Sequence, residues 1–490
     1  MTVRELLDKK PTAIAYDSRQ VKPGAIFVAL RGVHADGARF APQAIANGAA
    51  AVVAESAPLA GISVPWLRVP NARAALAELA AGFFGDPSEE LALVGITGTN
   101  GKTTTAYLLS AIFESAGIKC GRIGTIGYLV VAGREQAASR TTPEAPDLQQ
   151  MLRDMVKQGC GACVMEVSSH ALALRRVDHL RFAAGIFTNL TRDHLDFHGD
   201  MESYFGAKRR LFEMLPDGAV GVINVDDRRG ADFVAAARRP VTYAIEAAAD
   251  VRPGPLSFSL DGLTFEARTP RGTIVVRSHL VGRPNAYNIL AACAAAMALD
   301  LPFSAIEAGI AGLAHVPGRF QVVSDPADDV RVIVDYAHTD DALKNLLETA
   351  RPMATGRVVT VFGAGGDRDR TKRPLMGAVA ARLSDLVIVT SDNPRTEDPA
   401  RIIDEVRRGI VVPADRAASK GQKGTPSLAI VDRAEAIEKA IKDARSGDLV
   451  LLAGKGHEKY QVIGDREIPF DDVEVARAAL ARRRSRSRVS

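Results

Sequence analysis

Cysteine, tryptophan and long apolar runs are all scarce in this chain of 490 residues. Four cysteines are too few for a disulfide framework. Cys160 and Cys163 do form CGAC, a thioredoxin-like spacing, but Gln158 and Gly159 end a helix-like segment and ACVMEVSS begins a buried strand. The pair therefore reads as structural rather than redox-active or metal-binding. The longest apolar run, ILAACAAAMAL from Ile289, is too short to span a bilayer. The start, MTVRELLDKKPT, has charges where a signal peptide has its apolar core. A soluble, cytoplasmic monomer with no membrane partner is expected. The net charge of +4 is small, and basic residues concentrate only in ARRRSRSRVS, which offers no aromatic rings to stack on bases. That end is expected to be a frayed, solvated tail, with no nucleic-acid partner.

What is present is an ordinary globular composition, 47% hydrophobic and 24% charged, in a chain longer than one core of about 250–300 residues can organise. One theme repeats: a short apolar β-branched run, a glycine-rich or polar loop, then a helical pattern, the mark of parallel α/β construction. LALVGITG, CVMEVSS, AAGIFTNL, GVINVD, VRVIVDYA, RVVTVFGA, DLVIVTSD and DLVLLAGKG read as strands, and each runs into a polar or glycine-rich motif. In such folds ligands sit outside the carboxyl ends of the strands. FFGDPSEE and HVPGRF punctuate the chain, predicting three α/β domains over 1–88, 89–317 and 318–490. The middle one carries a P-loop on a mainly parallel sheet, and the last is Rossmann-like.

The strand LALVGIT followed by GTNGKTTT opening a helix predicts a phosphate site at the helix N-terminus. Gly98, Thr99, Asn100, Gly101, Lys102, Thr103 and Thr104 form the loop, with Lys102 on the phosphates and the Thr103 hydroxyl on Mg²⁺. GxxxxGK[ST] would place glycine where Ile96 stands. A metal needs hard oxygen ligands, and Glu166 at a strand exit is well placed to be one or to cap the next helix. FTNLTRDHLDFHGD crowds Asp193, His194, Asp196, His198 and Asp200 together. Alone this suits a zinc hydrolase, a helix-capping loop or a magnesium site, and the P-loop upstream favours magnesium serving ATP.

GTNGKTTT, EVSSHAL, NLTRDHLDFHG, AKRRLF, DYAHTDDAL, FGAGGDRDRTKRP, SDNPRTED and AGKGHEKYQ, in this order, resemble the Mur ligase family over nearly the whole chain. Its P-loop is of the GTNGKT type, so Ile96 matches the family. The resemblance implies an ATP-dependent amide ligase that adds meso-2,6-diaminopimelate to UDP-N-acetylmuramoyl-L-alanyl-D-glutamate through an acyl phosphate. It implies that Lys208 is carbamylated and holds a magnesium ion together with His194, while Glu166 holds another. A carbamate needs an unprotonated amine, and Arg209 and Arg210 are expected to help lower its pKa. Alone, Lys208 beside two arginines reads as a solvated helix face.

By the same resemblance Asn285, Asn288, Arg319, Asp335 and His338 hold adenine and ribose. Ser18, His34, Ala35 and Asp36 meet the uridine end of the acceptor, and Thr141, Thr142, Ser168 and Arg176 its muramoyl dipeptide. Leu174 stands where some members carry a glutamine that contacts this substrate. The added amino acid is implied to lie against Arg373, Asp392, Asn393, Pro394, Arg395, Gly454 and Glu458, the Arg395 fork meeting a distal carboxylate that lysine lacks. Three rival readings remain: a P-loop switch or motor ATPase, a lysine-adding or folylpolyglutamate-type ligase, and a NAD-dependent dehydrogenase suggested by FGAGGDR. In the last, Arg368 occupies the final glycine position of GxGxxG.

Overall fold

The computed structural model describes residues 2–32, 35–131, 134–138, 140–410 and 425–487. All eight expected strand runs form strands, and the chain folds into three α/β domains. The first is built on four short parallel strands in chain order, Ile14–Ala15, Ile26–Val28, Ala51–Ala54 and Trp66–Arg68. Asn71 caps the helix Ala72–Phe84 by accepting from the Ala74 N–H. This helix packs against Ala145–Lys157 of the next domain. Arg153 donates to the carbonyls of Phe84 and Gly85, and the Tyr16 hydroxyl to Asp147 at 2.7 Å, which ties the two domains together.

The middle domain is built on an eight-stranded sheet. In spatial order six parallel ones run Pro240–Tyr243, Val220–Asn224, Ala184–Phe187, Ala92–Thr97, Ala162–Glu166 and Cys120–Ile123. Gly127–Val131 and Arg134–Ala137 extend the edge antiparallel. Helices cover both faces, so these strands are near-continuous apolar runs; Leu93, Val94, Val164, Ile186 and Val222 are fully buried. The alanine-rich helix Arg283–Ala298 lies against Lys102–Ser115, its small side chains permitting close approach. An antiparallel sheet over 252–278 completes the domain.

In the last domain the order is Gln321–Val322, Arg331–Asp335, Leu449–Ala453, Val358–Phe362, Leu386–Val389 and Ser427–Ala429, parallel except at the first pair. The strand of this sheet that comes last in sequence, Leu449–Ala453, thus enters at its centre. A hairpin, Tyr460–Ile463 with Arg466–Pro469, follows it.

The basic end corrects an expectation. Residues to Ser487 continue the helix Asp472–Ser487 instead of fraying. Arg483 pairs with Asp329 and donates to the carbonyls of Ile441, Lys442 and Ala444, while Arg484 pairs with Asp325 and Asp328. All four cysteines are buried and unpaired, and burial pushes Cys120 and Cys293 up to about 12, leaving inert thiols. Among the described residues no helix is long and apolar enough to cross a membrane.

Candidate active site

Strand order creates the site. The strand Ala92–Thr97 lies between Ala162–Glu166 and Ala184–Phe187, so the P-loop, Glu166 and the Asn189–His194 loop leave the sheet as neighbours. Ile96 belongs to the strand and is fully buried. The need for glycine falls two residues later. Gly98 has φ +147°, and a Cβ there would lie 1.8 Å from Thr188 Oγ1; Gly101, at φ +88°, precedes the helix Lys102–Ser115. The loop is pinned from the next strand exit, where Asn189 Oδ1 accepts from the Asn100 N–H at 2.9 Å and its carbonyl from the Thr99 N–H at 2.8 Å. Lys102 Nζ donates to the carbonyls of Gly98 and Thr99, both at 2.9 Å. Burial draws its pKa down, and the Glu166 carboxylate opposes that.

Glu166 is buried beside the loop. Its Oε1 accepts from the Thr103 hydroxyl at 2.8 Å and the Thr125 N–H at 2.9 Å, and its Oε2 from the Thr125 hydroxyl at 3.0 Å. Lys208 is 1% exposed and donates to the Gly98 carbonyl at 2.7 Å, so it is no solvated face. Burial first, then Lys102, holds its pKa well below the lysine value. The neighbouring arginines do not contribute: Arg209 turns to Glu213 and Arg210 to Asp178.

The acidic and histidine cluster disperses into separate tasks. Asp200 caps the helix Met201–Glu213, His198 Nε2 meets Ser169 Oγ at 2.9 Å, and only Asp193, His194 and Asp196 face a cavity. Desolvation pulls His194 towards the neutral form against the attraction of Asp193. Among the described residues no three His, Cys, Asp or Glu side chains converge to hold a metal. What the loop does offer is hard oxygen: the Thr103 hydroxyl and Glu166 carboxylate at a phosphate-type turn. That donor set suits magnesium.

Two cavities meet here. One, of about 270 Å³, is lined by residues 99–104, Thr141, Glu166 and Ser168, and by Asn285, Asn288, Arg319, Asp335 and His338. Arg319 reaches across from the last domain, donating to Thr103 Oγ1 at 3.2 Å. The other, of about 390 Å³, is lined by Arg368, Asp392, Asn393, Arg395, Gly454 and Glu458. Asp193, His194, Tyr336 and His338 belong to both.

Arg373 is not in this second cavity. It is fully buried and its guanidinium is taken up by Glu397, Glu405 and the Gly365 carbonyl. Arg368, five residues earlier in the loop, lines the cavity in its place. Pro394 does not line it. Lys372 also lines this cavity and donates to the His338 carbonyl at 2.9 Å.

Thr142 and Arg176 lie just behind the first cavity. Thr142 Oγ1 donates to the Glu166 carbonyl at 2.8 Å, and Arg176 pairs with Glu144 at 2.8 Å. Ser18, Ala35 and Asp36 are in the first domain and line neither cavity. Ser18 donates to Gln43, and Asp36 accepts from the Ala38 N–H. His34 lies outside the described residues. Thr125, Arg192, Tyr336 and Asn345 line the cavities without having been singled out.

Three family models match the chain: the Mur ligase family, catalytic domain, over residues 10–84, the Mur ligase middle domain over 96–296, and the Mur ligase, glutamate ligase domain, over 318–456. A UDP-N-acetylmuramoyl-L-alanyl-D-glutamate--2,6-diaminopimelate ligase of Geobacter sulfurreducens is 50% identical over 98% of this chain and 96% of its own length. One of the same name from Gloeobacter violaceus is 48% identical over 99% and 97%. A solved structure of a ligase with this name superposes with a TM-score of 0.68 at 36% identity, covering 97% of this chain and 95% of the other. The MurF ligase of Thermotoga maritima, solved in complex with ADP, shares the fold with a TM-score of 0.66 at 21% identity, over 99% of this chain and 100% of its own.

Proposed function

The chain belongs to the Mur ligase family, and from that premise we propose how its residues divide the work of one reaction. It is an ATP-dependent ligase that joins 2,6-diaminopimelate to UDP-N-acetylmuramoyl-L-alanyl-D-glutamate in peptidoglycan synthesis. The meso isomer is the form taken here. The observation that carries the division of roles is that Asp193, His194, Tyr336 and His338 line both the P-loop cavity and the Arg395 cavity, so the two adjoin. An amine seated in one can reach a carboxyl group activated in the other.

The P-loop N–H groups and Lys102 take the ATP phosphates, and Asn285, Asn288, Arg319, Asp335 and His338 take adenine and ribose. Residues 1–88 seat the uridine end of the acceptor at Ser18, His34, Ala35 and Asp36. Residues 89–317 bring its dipeptide past Thr141, Thr142, Ser168 and Arg176 to the γ-phosphate. Residues 318–490 carry the amino acid, with Arg368 and Arg395 on its distal carboxylate and Glu458 on its distal ammonium. A γ-carboxylate oxygen of the D-glutamate end attacks the γ-phosphorus, ADP departs, and Lys102 offsets the charge that gathers on the phosphate. The neutral amine then attacks the acyl carbon and phosphate leaves with the former carboxylate oxygen.

Thr103, Glu166, His194 and Lys208 would hold magnesium, which draws charge from the phosphate oxygens when bound. Lys208 serves as a carbamate: its buried amine, whose pKa is held well below the lysine value, adds carbon dioxide in its unprotonated form and releases a proton, giving an anionic oxygen donor. ADP release, measured on the full chain with ATP and magnesium, is expected to require both the acceptor and meso-diaminopimelate. Release indifferent to the amino acid would leave a P-loop ATPase and refute the ligase roles.

A further inference from the structure

Lys455 follows Gly454 at the end of the strand Leu449–Ala453 and is fully buried, a position where a lysine needs its charge met. Its Nζ donates to Glu458 Oε2 at 2.9 Å and to Asn393 Oδ1 at 3.1 Å. Asn393 closes the triangle, its Nδ2 donating to the same Glu458 oxygen at 2.8 Å while its Oδ1 also accepts from the Val462 N–H at 2.9 Å. Both ends of the Asn393 amide are therefore engaged within the protein. Glu458 lines the cavity, and its Oε1 meets no donor among the described residues. One oxygen is locked and the other is free.

We propose that Lys455 is a positioning residue for amino-acid specificity, fixing Glu458 from behind and cancelling its charge so that the pocket selects a zwitterionic end over a lone ammonium. This rests on the reading that the cavity takes diaminopimelate. With Lys455 in place, Glu458 is an oriented acceptor with little net charge, and Arg368 and Arg395 form the positive side of the pocket. A zwitterion has no net charge, so the buried cation leaves its binding nearly unchanged and favours its alignment. The single ammonium at the end of L-lysine brings no second carboxylate to Arg368 and Arg395, and it meets a Glu458 carboxylate already paired with Lys455. Discrimination then comes from a weakened hold on the lysine ammonium as well as from attraction of the second carboxylate.

The test is kcat/KM for meso-diaminopimelate and L-lysine, with ATP and acceptor, on the full-length wild type, Lys455→Gln and Lys455→Arg. Glutamine keeps a donor and removes the charge, so the diaminopimelate-to-lysine ratio is expected to fall by about tenfold or more, chiefly through a gain for lysine. Equal losses for both amino acids, with the ratio kept, would show a structural role only and overturn the proposal. Should Lys455→Gln fail to fold, Lys455→Arg carries the decision. Charge retained, its ratio is expected within about threefold of wild type, and collapse of that ratio overturns the proposal. Wild-type enzyme that turns over neither amino acid removes the functional reading itself, and the proposal with it.

Discussion

Lys208 shows what a single position needs beyond its neighbours in sequence. AKRRLF reads as three cations on a wet helix, yet the helix Met201–Glu213 buries Tyr204, Phe205, Lys208, Leu211 and Phe212, the spacing of one face. That places the amine at the Gly98 carbonyl and leaves Arg209 and Arg210 to pair elsewhere. Lys208→Ala is expected to cut kcat by about a hundredfold or more, the scale of losing one charge stabiliser at a transferring phosphate. Carbon-13 NMR with labelled bicarbonate should show a carbamate signal in the wild type that this variant lacks; undiminished kcat would exclude the role. Thr103 and Glu166 were legible because strand exits fix where they point. Arg368 and Arg373 were not told apart, because both are basic residues in FGAGGDRDRTKRP. Only the placement of Glu397 and Glu405 on other elements draws one of them inward.

That same pairing matters for the elements it joins. Arg373, on the helix Lys372–Leu383, meets Glu397 in the loop before the helix Pro399–Ile410 and Glu405 on that helix, locking the pair together beside the Arg395 cavity. The hydrogen bond from Arg373 holds Glu397 down from 4.5 to about 2. A depressed carboxylate stabilises the fold fully above its unfolded value and loses that contribution as pH falls through the folded one. Glu397→Gln is therefore expected to melt roughly 2–4 °C below wild type at pH 7, about 1 kcal/mol after solvent screening. The gap should close as pH falls from 4.5 towards 2. A gap that stays constant in thermal melts across that range would contradict the ion pairing. Strands such as LALVGIT were legible because β-branched apolar runs have few other uses. The last helix was not, since ARRRSRSRVS has no apolar period to read and docks through Arg483 and Arg484 on acids and carbonyls.

At the scale of the whole molecule, reaction geometry follows from where three domains place their strand exits. The P-loop, Glu166 and His194 come from adjacent exits of one sheet. His338 and Gly454 come from neighbouring exits of another, whose strand Leu449–Ala453 enters between strands made earlier in the chain. Arg319 on Thr103, Asn100 on Asp341 and Arg192 on Asp369 bridge the two. Sequence showed the motifs in order, but not that Tyr336 and His338 form a wall common to both cavities, because that depends on how the sheets face one another. The central claim is that the acceptor carboxyl group is phosphorylated in the P-loop cavity before the amine reaches it from the adjoining one. Its most direct test labels both oxygens of the acceptor γ-carboxylate with oxygen-18 and follows the label by mass spectrometry after turnover with ATP and meso-diaminopimelate. The predicted result is one labelled oxygen in the inorganic phosphate and one in the new amide. Phosphate free of label would contradict the acyl-phosphate route.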